Sequence, residues 1–322
     1  MQARLNMAQD LGGKLVVLVG GAGFLGRHVA QELLSRGARL RVASRNVERA
    51  FSIKPLGNLG QVQFARADMT KPESLARSVS GADAVVNLAG TFGGDADAVM
   101  GRGAGALADA AKAAGAQAFV HVSAIGADAE GETGYARAKA AGEAAVLAAF
   151  PAATVLRPSI LFGPDDTFIN RFAGLIAALP ALPVFAPEAR LQPLFVDDCA
   201  KAIAAALADP AAHGGKTCEL AGPETVTMLD LNQRIARAVG GSTHLVPLPD
   251  TVSGLIAAAT GWLPGAPITG EQWKLLKAGN VASGTLPGIA ALGVAPRPLD
   301  LFLDRWLVRF RKHGRFANHA AA

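Results

Sequence analysis

The first strong pattern along the chain is an uninterrupted apolar run, Lys14-Leu-Val-Val-Leu-Val19, whose lack of alternation marks a strand buried on both faces. A turn, Gly20-Gly21-Ala22-Gly23-Phe24-Leu25-Gly26, follows, and over residues 27–35 the apolar positions recur at helical spacing until Gly37 stops them. The same unit repeats. Residues 39–43, 62–65, 84–88 and 118–123 read as further strands, with helices over 72–79, 98–114 and 135–149 between several of them. Strands alternating with helices predict an α/β fold, a Rossmann-type doubly wound parallel sheet. Beyond residue 151 the alternation loosens into a strand at 154–157, a Pro- and Gly-rich stretch through 187, a strand near 194–196 and a helix over 198–208. Two α-rich pieces (228–239, 252–276) and a closing helix from about 298 to 312 complete the chain.

Composition narrows the class. With 51% hydrophobic and 18% charged residues in 322, the chain has the apolar content of a packed multi-lobed protein, which excludes a disordered polyelectrolyte. Four of the five net positive charges lie in residues 297–315, where six basic residues face only Asp300 and Asp304. Cys199 and Cys218 make no disulfide framework and read as small buried apolar residues, and the six histidines show no metal-ligand spacing, so no metal site is expected. Residues 1–14 carry no apolar signal core, and Met7 is an alternative start. The longest uncharged run, 252–267, is interrupted by Gly254, Gly261, Pro264 and Gly265 and falls short of the ~20 residues of a membrane span. The expectation is a soluble or peripheral protein in a reducing compartment.

A glycine-rich turn from strand to helix has a defined chemistry. Glycines permit positive φ and let backbone amides approach a pyrophosphate, and the helix N-terminus adds N–H groups and partial positive charge. Gly20, Gly21, Gly23, Phe24, Leu25 and Gly26 are therefore candidate dinucleotide contacts. The end of the second strand selects the nucleotide. An NAD site places an acid there for the ribose 2′-hydroxyl, whereas Arg41-Val-Ala-Ser-Arg-Asn46 has none. Ser44 and Arg45 offer a hydroxyl and a guanidinium for a 2′-phosphate, which favours NADP(H) over NAD(H).

A second constellation is suited to proton transfer. Tyr135 and Lys139, four residues apart on a helix, share one face, so the ammonium can favour the phenolate, while Ser123 can hydrogen-bond a reacting oxygen. Tyr135 is the only tyrosine in the chain, so its place in this frame is not background. His121 alternates onto the side of Ser123 and reads as a packed or water-bound residue rather than a catalytic one.

With Ala67-Asp68-Met69, Asn87-Leu88-Ala89-Gly90, Leu156-Arg157-Pro158 and Phe195-Val196-Asp197-Asp198 added, the motifs resemble, in order, the short-chain dehydrogenase/reductase family of extended or atypical type. The resemblance implies that Asp68 lies beside the adenine, that Leu88, Ala89 and Gly90 line the cofactor, and that Tyr135 and Lys139 contact the nicotinamide ribose. It adds Met69 and Pro158 to the cofactor-binding set. It also implies a relay asparagine early in the helix after Gly90, where this chain has Met100. Residues 14–150 thus form the expected NAD(P)-binding domain, its sheet completed by later strands; residues 151–296 form a smaller C-terminal lobe and 297–322 a basic amphipathic helix and tail. Longer matches, Tyr135 to Glu143, Phe150 to Gly163, Asp166 to Phe172 and Gln192 to Asp198, resemble the nucleotide-binding accessory subunit of respiratory complex I, the alpha-subcomplex subunit nine family. That likeness implies a structural NADPH, complex I subunits as partners at the membrane surface, and a cytoplasmic protein peripheral to the inner membrane. The alternative is an active NAD(P)-dependent reductase or sugar-nucleotide epimerase or dehydratase using Ser123, Tyr135 and Lys139.

The tail offers two uses. Leu299, Phe302, Leu303, Trp306, Leu307 and Phe310 make one apolar helical face, with Arg305, Arg309, Arg311, Lys312, His313 and Arg315 elsewhere or beyond. That face either packs on the protein's own core or docks on a membrane-complex partner or anionic lipid. One short basic cluster without a recognised module excludes nucleic acid.

Overall fold

The computed structural model describes residues 10–260, 269–312 and 314; Met7, the positions from Gly261 to Pro267, His313 and Arg315 lie outside the described residues. Two compact units share the chain. The first takes the chain through Pro158 with Val196–Leu220 and Ser283–Ala295, and the second takes Ser159–Phe195, Ala221–Ala282 and the chain from Pro296.

The first unit is built on seven strands: β1 (Leu15–Val19), β2 (Arg39–Ser44), β3 (Val62–Arg66), β4 (Ala84–Asn87), β5 (Ala118–Val122), β6 (Thr154–Pro158) and β7 (Thr217–Leu220). They lie in the order β7-β6-β5-β4-β1-β2-β3, and every pair is parallel. This is the doubly wound Rossmann-type sheet that the alternation predicts. All residues of β1, β4 and β5 are buried, which is why their sequences are continuous apolar runs, whereas β3 at the edge is only partly covered. Helices α1 (Phe24–Ser35), α2 (Pro72–Val79), α3 (Gly103–Ala113), α4 (Gly134–Ala149) and α5 (Val196–Ala208) cover the faces. Leu75 and Val79 of α2, Leu107 and Ala108 of α3 and Val146 of α4 close over Val17, Val19, Val85 and Phe119 in one core. On α1, His28 Nδ1 meets Asp197 Oδ1 of α5 at 2.6 Å. The strand order reverses between β1 and β4, so a ligand crevice opens at their carboxyl ends.

Two differences from the sequence reading concern this unit. Strand β7 is additional: its central Glu219 argues against a buried strand, yet the carboxylate is satisfied, accepting from Ser283 N at 2.6 Å and Ser283 Oγ at 2.8 Å. The helix expected over 98–114 begins as a π turn, Asp97–Arg102, before α3, and the turn presses so closely on α4 that a Cβ on Gly142 would sit 2.0 Å from the Met100 carbonyl oxygen.

The second unit holds short strand pairs and helices. Leu161–Phe162 pairs with Leu194–Phe195, and Ala181–Val184 pairs with His244–Pro247, a ladder hidden inside a Pro-rich stretch. The α-rich piece expected over 252–276 is two helices, Asp250–Thr260 and Gly270–Ala278, the latter opened by a Thr269/Gln272 capping box. The closing helix is shorter than expected, Asp300–Leu307, and tightens into a 3₁₀ turn, Val308–Phe310. Its apolar face is spent inside this unit: Phe302, Leu303, Trp306 and Leu307 are buried, and Phe302 stacks on Phe195 with centroids 3.9 Å apart. Of the two uses the sequence leaves open for that face, the fold takes the first: the face is core. Its cations are engaged too. Arg309 donates to the Pro164 carbonyl and Asn170 Oδ1, Arg311 donates to the Ala238 carbonyl and Asp304, and Arg297 and Arg305 lie over the Phe302 ring.

Candidate dinucleotide and proton-transfer site

The turn after β1 is shaped by close approach. Gly20 has φ +81°, and a Cβ there would lie 2.8 Å from Ala89 N and 2.9 Å from the Leu88 carbonyl carbon, so the ends of β1 and β4 touch through main chain. A Cβ on Gly26 would lie 2.2 Å from the Gly21 carbonyl oxygen, which holds α1 against the turn. Gly21 is confined between Leu18 and Val42, each 2.9 Å from a built Cβ. Gly23 differs: the nearest atom to its missing Cβ is Gly20 O at 3.6 Å, so this face is open. Gly23 is also the extended N-cap of α1; no side chain caps the helix, and its first turn, which starts with Phe24 and Leu25, holds no acid. An open glycine at an uncapped helix N-terminus is the cradle a dinucleotide pyrophosphate requires, so the residues present fit that group.

At the ends of β2 and β3, Ser44 donates its hydroxyl to the Asn46 carbonyl at 2.6 Å, and the exposed Arg45 side chain makes no hydrogen bond or ion pair among the described residues. Asp68 accepts from Thr70 N at 3.0 Å and Thr70 Oγ1 at 2.8 Å, and these bonds, with Lys71 and Arg45 further out, hold its carboxyl below the usual range. Met69 is buried in the core cluster that also holds Ala104. On β4, Asn87 Oδ1 accepts from Ala89 N at 3.0 Å, Leu88 N donates to Val19 O at 2.8 Å, and Gly90 follows. Pro158 closes β6, its carbonyl accepting from Ile125 N at 3.0 Å.

The structure brings Tyr135 and Lys139 together and places Ser123 at the end of β5. The Thr133 hydroxyl caps α4 by accepting from Ala136 N, which fixes Tyr135 in its first turn. Lys139 Nζ donates to the Val122 carbonyl at 3.0 Å and stands 5.8 Å from the Tyr135 ring centroid. Ser123 is 3% exposed, and its hydroxyl has no hydrogen-bond partner among the described residues. Burial pushes the Tyr135 phenol up to about 12. Burial likewise pushes Lys139 down to about 8, against the pull of Glu143. The phenol is thus a hydrogen-bond donor at neutral pH, and the ammonium needs little help to release its proton.

Three partners escaped sequence reasoning. Phe92, itself 69% exposed, stacks on Tyr135 with centroids 4.6 Å apart and planes 14° apart. Glu143, one turn beyond Lys139, is clamped by Arg157 at 2.8 and 2.6 Å; the helical spacing and the strand at 154–157 that supplies Arg157 were both legible, their pairing was not. Asn87 Nδ2 donates to His121 Nδ1 at 3.1 Å across adjacent strands, as the Ala89 bond to Oδ1 orients the amide, so the imidazole proton sits on Nε2. Burial, with Lys139 nearby, pushes His121 down to about 3 and keeps it neutral, a packed residue as its position suggested.

A glycine cradle, a Ser/Tyr/Lys set and a reversed parallel sheet point to one fold family, and residues 16–221 match the model of the NAD dependent epimerase/dehydratase family. The chain belongs to that family. It is 32% identical over 316 residues to NADH dehydrogenase (ubiquinone) 1 alpha subcomplex subunit 9 of Mus musculus, covering 94% of this chain and 82% of that protein. Ceramide reductase of Caulobacter vibrioides is 32% identical over 248 residues, 76% of each chain. Among solved structures, Citrobacter sp. triphenylmethane reductase complexed with NADP(H) superposes with TM-score 0.71 at 21% identity, covering 90% of this chain and 99% of that one.

Within this epimerase/dehydratase fold, Met100 stands where the sequence likeness expects an asparagine. It is 1% exposed, and a Cβ on Gly90 would be 3.9 Å from both Met100 Sδ and Lys139 Nζ. A thioether accepts hydrogen bonds weakly, so it holds a relay water poorly beside the lysine. A bound nicotinamide supplies hydride chemistry. What this chain adds is a phenol donor from Tyr135, a hydroxyl from Ser123 and an ammonium at Lys139 anchored to main chain. Among the described residues, no group of three His, Cys, Asp or Glu could hold a metal, and no helix is long and apolar enough to cross a membrane.

Proposed function

We propose that this protein is an NADP(H)-binding accessory protein of respiratory complex I, holding its cofactor as a structural element, on the cytoplasmic side of the inner membrane. The observation that carries this reading is the likeness to subunit 9 along nearly the whole chain, at 32% identity over 316 residues. Met100 beside Lys139 supports retention without turnover, since a proton relay through that position lacks a good acceptor. The nucleotide would lie with its pyrophosphate on Gly20, Gly21, Gly23, Phe24, Leu25 and Gly26, and its 2′-phosphate on Ser44 and Arg45. Asp68 and Met69 would border the adenine, Leu88, Ala89, Gly90 and Pro158 would line the nicotinamide end, and Tyr135 and Lys139 would hold the ribose. The experiment is co-isolation: complex I separated from solubilised membranes should contain this chain, and the purified chain should release NADPH on denaturation. Arg45→Asp should weaken NADPH by about 1.5–3 kcal/mol and leave NADH nearly unchanged, because it reverses a charge-assisted phosphate contact. Absence from the complex I band, or equal NADH and NADPH affinity in the parent, rejects the reading.

The unpartnered, buried Ser123 hydroxyl favours a second reading, an NAD(P)-dependent reductase or sugar-nucleotide epimerase, in which Ser123 and Tyr135 bind a carbonyl oxygen. Steady NADPH oxidation with a carbonyl or sugar-nucleotide substrate, abolished by Tyr135→Phe, would make it the better one.

A further inference from the structure

Three large apolar side chains stand exposed within residues 51–59: Phe51 at 50%, Leu56 at 38% and Leu59 with its whole surface in solvent. They belong to the 3₁₀ helix Glu48–Leu56 and to the turn after it, where Gly60 takes φ +77°. Phe51 packs edge-on against Phe64 of β3, with centroids 5.1 Å apart, so the segment is seated on the edge of the first unit's sheet. Arg66 lies two residues beyond Phe64 on the same face of that strand.

The charges around these residues are uncommitted. Arg49, Lys54 and Arg66 are exposed, and their side chains make no hydrogen bond or ion pair among the described residues; Glu48 is the only acid in 48–66. The contrast with the terminal helix is complete in kind, since there Arg309 and Arg311 are hydrogen-bonded inside their own unit. Exposed apolar side chains and uncommitted cations share this one segment, and an acidic protein surface would use only the cations. An anionic bilayer uses both: the apolar tips enter the acyl boundary while the cations stay level with the phosphates.

We propose that residues 48–66 dock this protein onto an anionic lipid bilayer, with Phe51, Leu56 and Leu59 at the interface and Arg49, Lys54 and Arg66 meeting lipid phosphates. The surface does not depend on whether the nicotinamide turns over, or on complex I. The test is flotation of the full chain with vesicles of phosphatidylcholine alone and of phosphatidylcholine mixed with phosphatidylglycerol, at low and high salt. The parent should float with the mixed vesicles at low salt and stay behind with phosphatidylcholine alone. Paired Arg49→Glu and Lys54→Glu should lower partitioning at least about tenfold, and paired Phe51→Ser and Leu59→Ser by about tenfold; the exposed charge pair should melt like the parent, while Phe51→Ser also gives up the Phe64 edge contact and should melt slightly earlier but still cooperatively. A control reversal of equal charge, Lys112→Glu with Lys274→Glu, should float like the parent. The proposal is overturned if the parent ignores the mixed vesicles, if either patch pair floats like the parent, or if the control loses as much. Capture of an acidic protein by the patch without vesicle binding would make it a protein interface and overturn the lipid assignment.

Discussion

The nucleotide cradle and the proton-transfer set lie at carboxyl ends of strands in one sheet, and they are built from opposite materials. The cradle is main chain: at Gly20, Gly21 and Gly26 a single added carbon meets atoms at 2.9 Å or less, so packing alone dictates its shape. The set is side chains: among the described residues Ser123 Oγ and the neighbouring His121 Nε2 are buried without partners, and Lys139 holds a charge against burial. A backbone cradle survives any loss of chemistry because the fold itself requires it. A buried polar set is costly to keep, and Arg157, Glu143, Asn87 and the Val122 carbonyl are there to hold it.

The largest effect should therefore come from the cradle. Gly26→Ala forces a Cβ to within 2.2 Å of the Gly21 carbonyl oxygen, and main chain on both sides cannot yield cheaply. We expect a loss of about 3 kcal/mol or more in stability, with nucleotide binding lost even in the fraction that folds. Urea melts with and without NADPH measure both; a variant that melts like the parent would mean the turn is looser than it looks.

That difference also explains what the sequence revealed. Strands β1, β4 and β5 were legible because burial on both faces leaves continuous apolar runs, β2, β3 and β6 because short apolar stretches recur between helices and turns, and the glycine turn because close approach leaves a spacing. Strand β7 was not, since Glu219 looks exposed until Ser283, far along the chain, satisfies it. The terminal helix was legible as amphipathic, but its partner was not: whether Phe302 meets lipid or Phe195 is a tertiary fact. In the same way no local pattern announces that Phe92 lies on Tyr135. Contacts between residues distant in sequence are where a single sequence falls silent.

The next effect separates cost from use in the side-chain set. Burial depresses Lys139 to about 8 from an ordinary 10.5. Below pH 8 the lysine is charged in both folded and unfolded chains, so the penalty is present in full. Between about 8 and 10.5 the folded lysine is neutral while the unfolded one still binds its proton, and stability recovers as pH rises. Lys139→Met should accordingly stabilise the nucleotide-free protein by about 2–3 kcal/mol at pH 7, with the advantage shrinking above pH 8 and nearly gone by 10.5. Melts of both proteins across that range decide it. A variant less stable than the parent at pH 7 would show that the Val122 bond and the Glu143 charge outweigh desolvation, and the contrast with the cradle would weaken.

The smallest effect concerns the phenol. Tyr135→Phe keeps the ring that Phe92 covers and removes only the hydroxyl, so fold and stacking should persist. If the hydroxyl does no more than hold a ribose, NADPH affinity should fall by about 0.5–1.5 kcal/mol, the worth of one hydrogen bond. Because Tyr135 is the only tyrosine, phenolate absorbance reports it alone: the parent should ionise near 12, well above a free phenol, and the variant should show no such transition. Ionisation near the ordinary value would mean that water reaches the ring despite Phe92. A loss of binding far beyond one hydrogen bond would place the phenol with the cradle, as part of what makes the nucleotide stay.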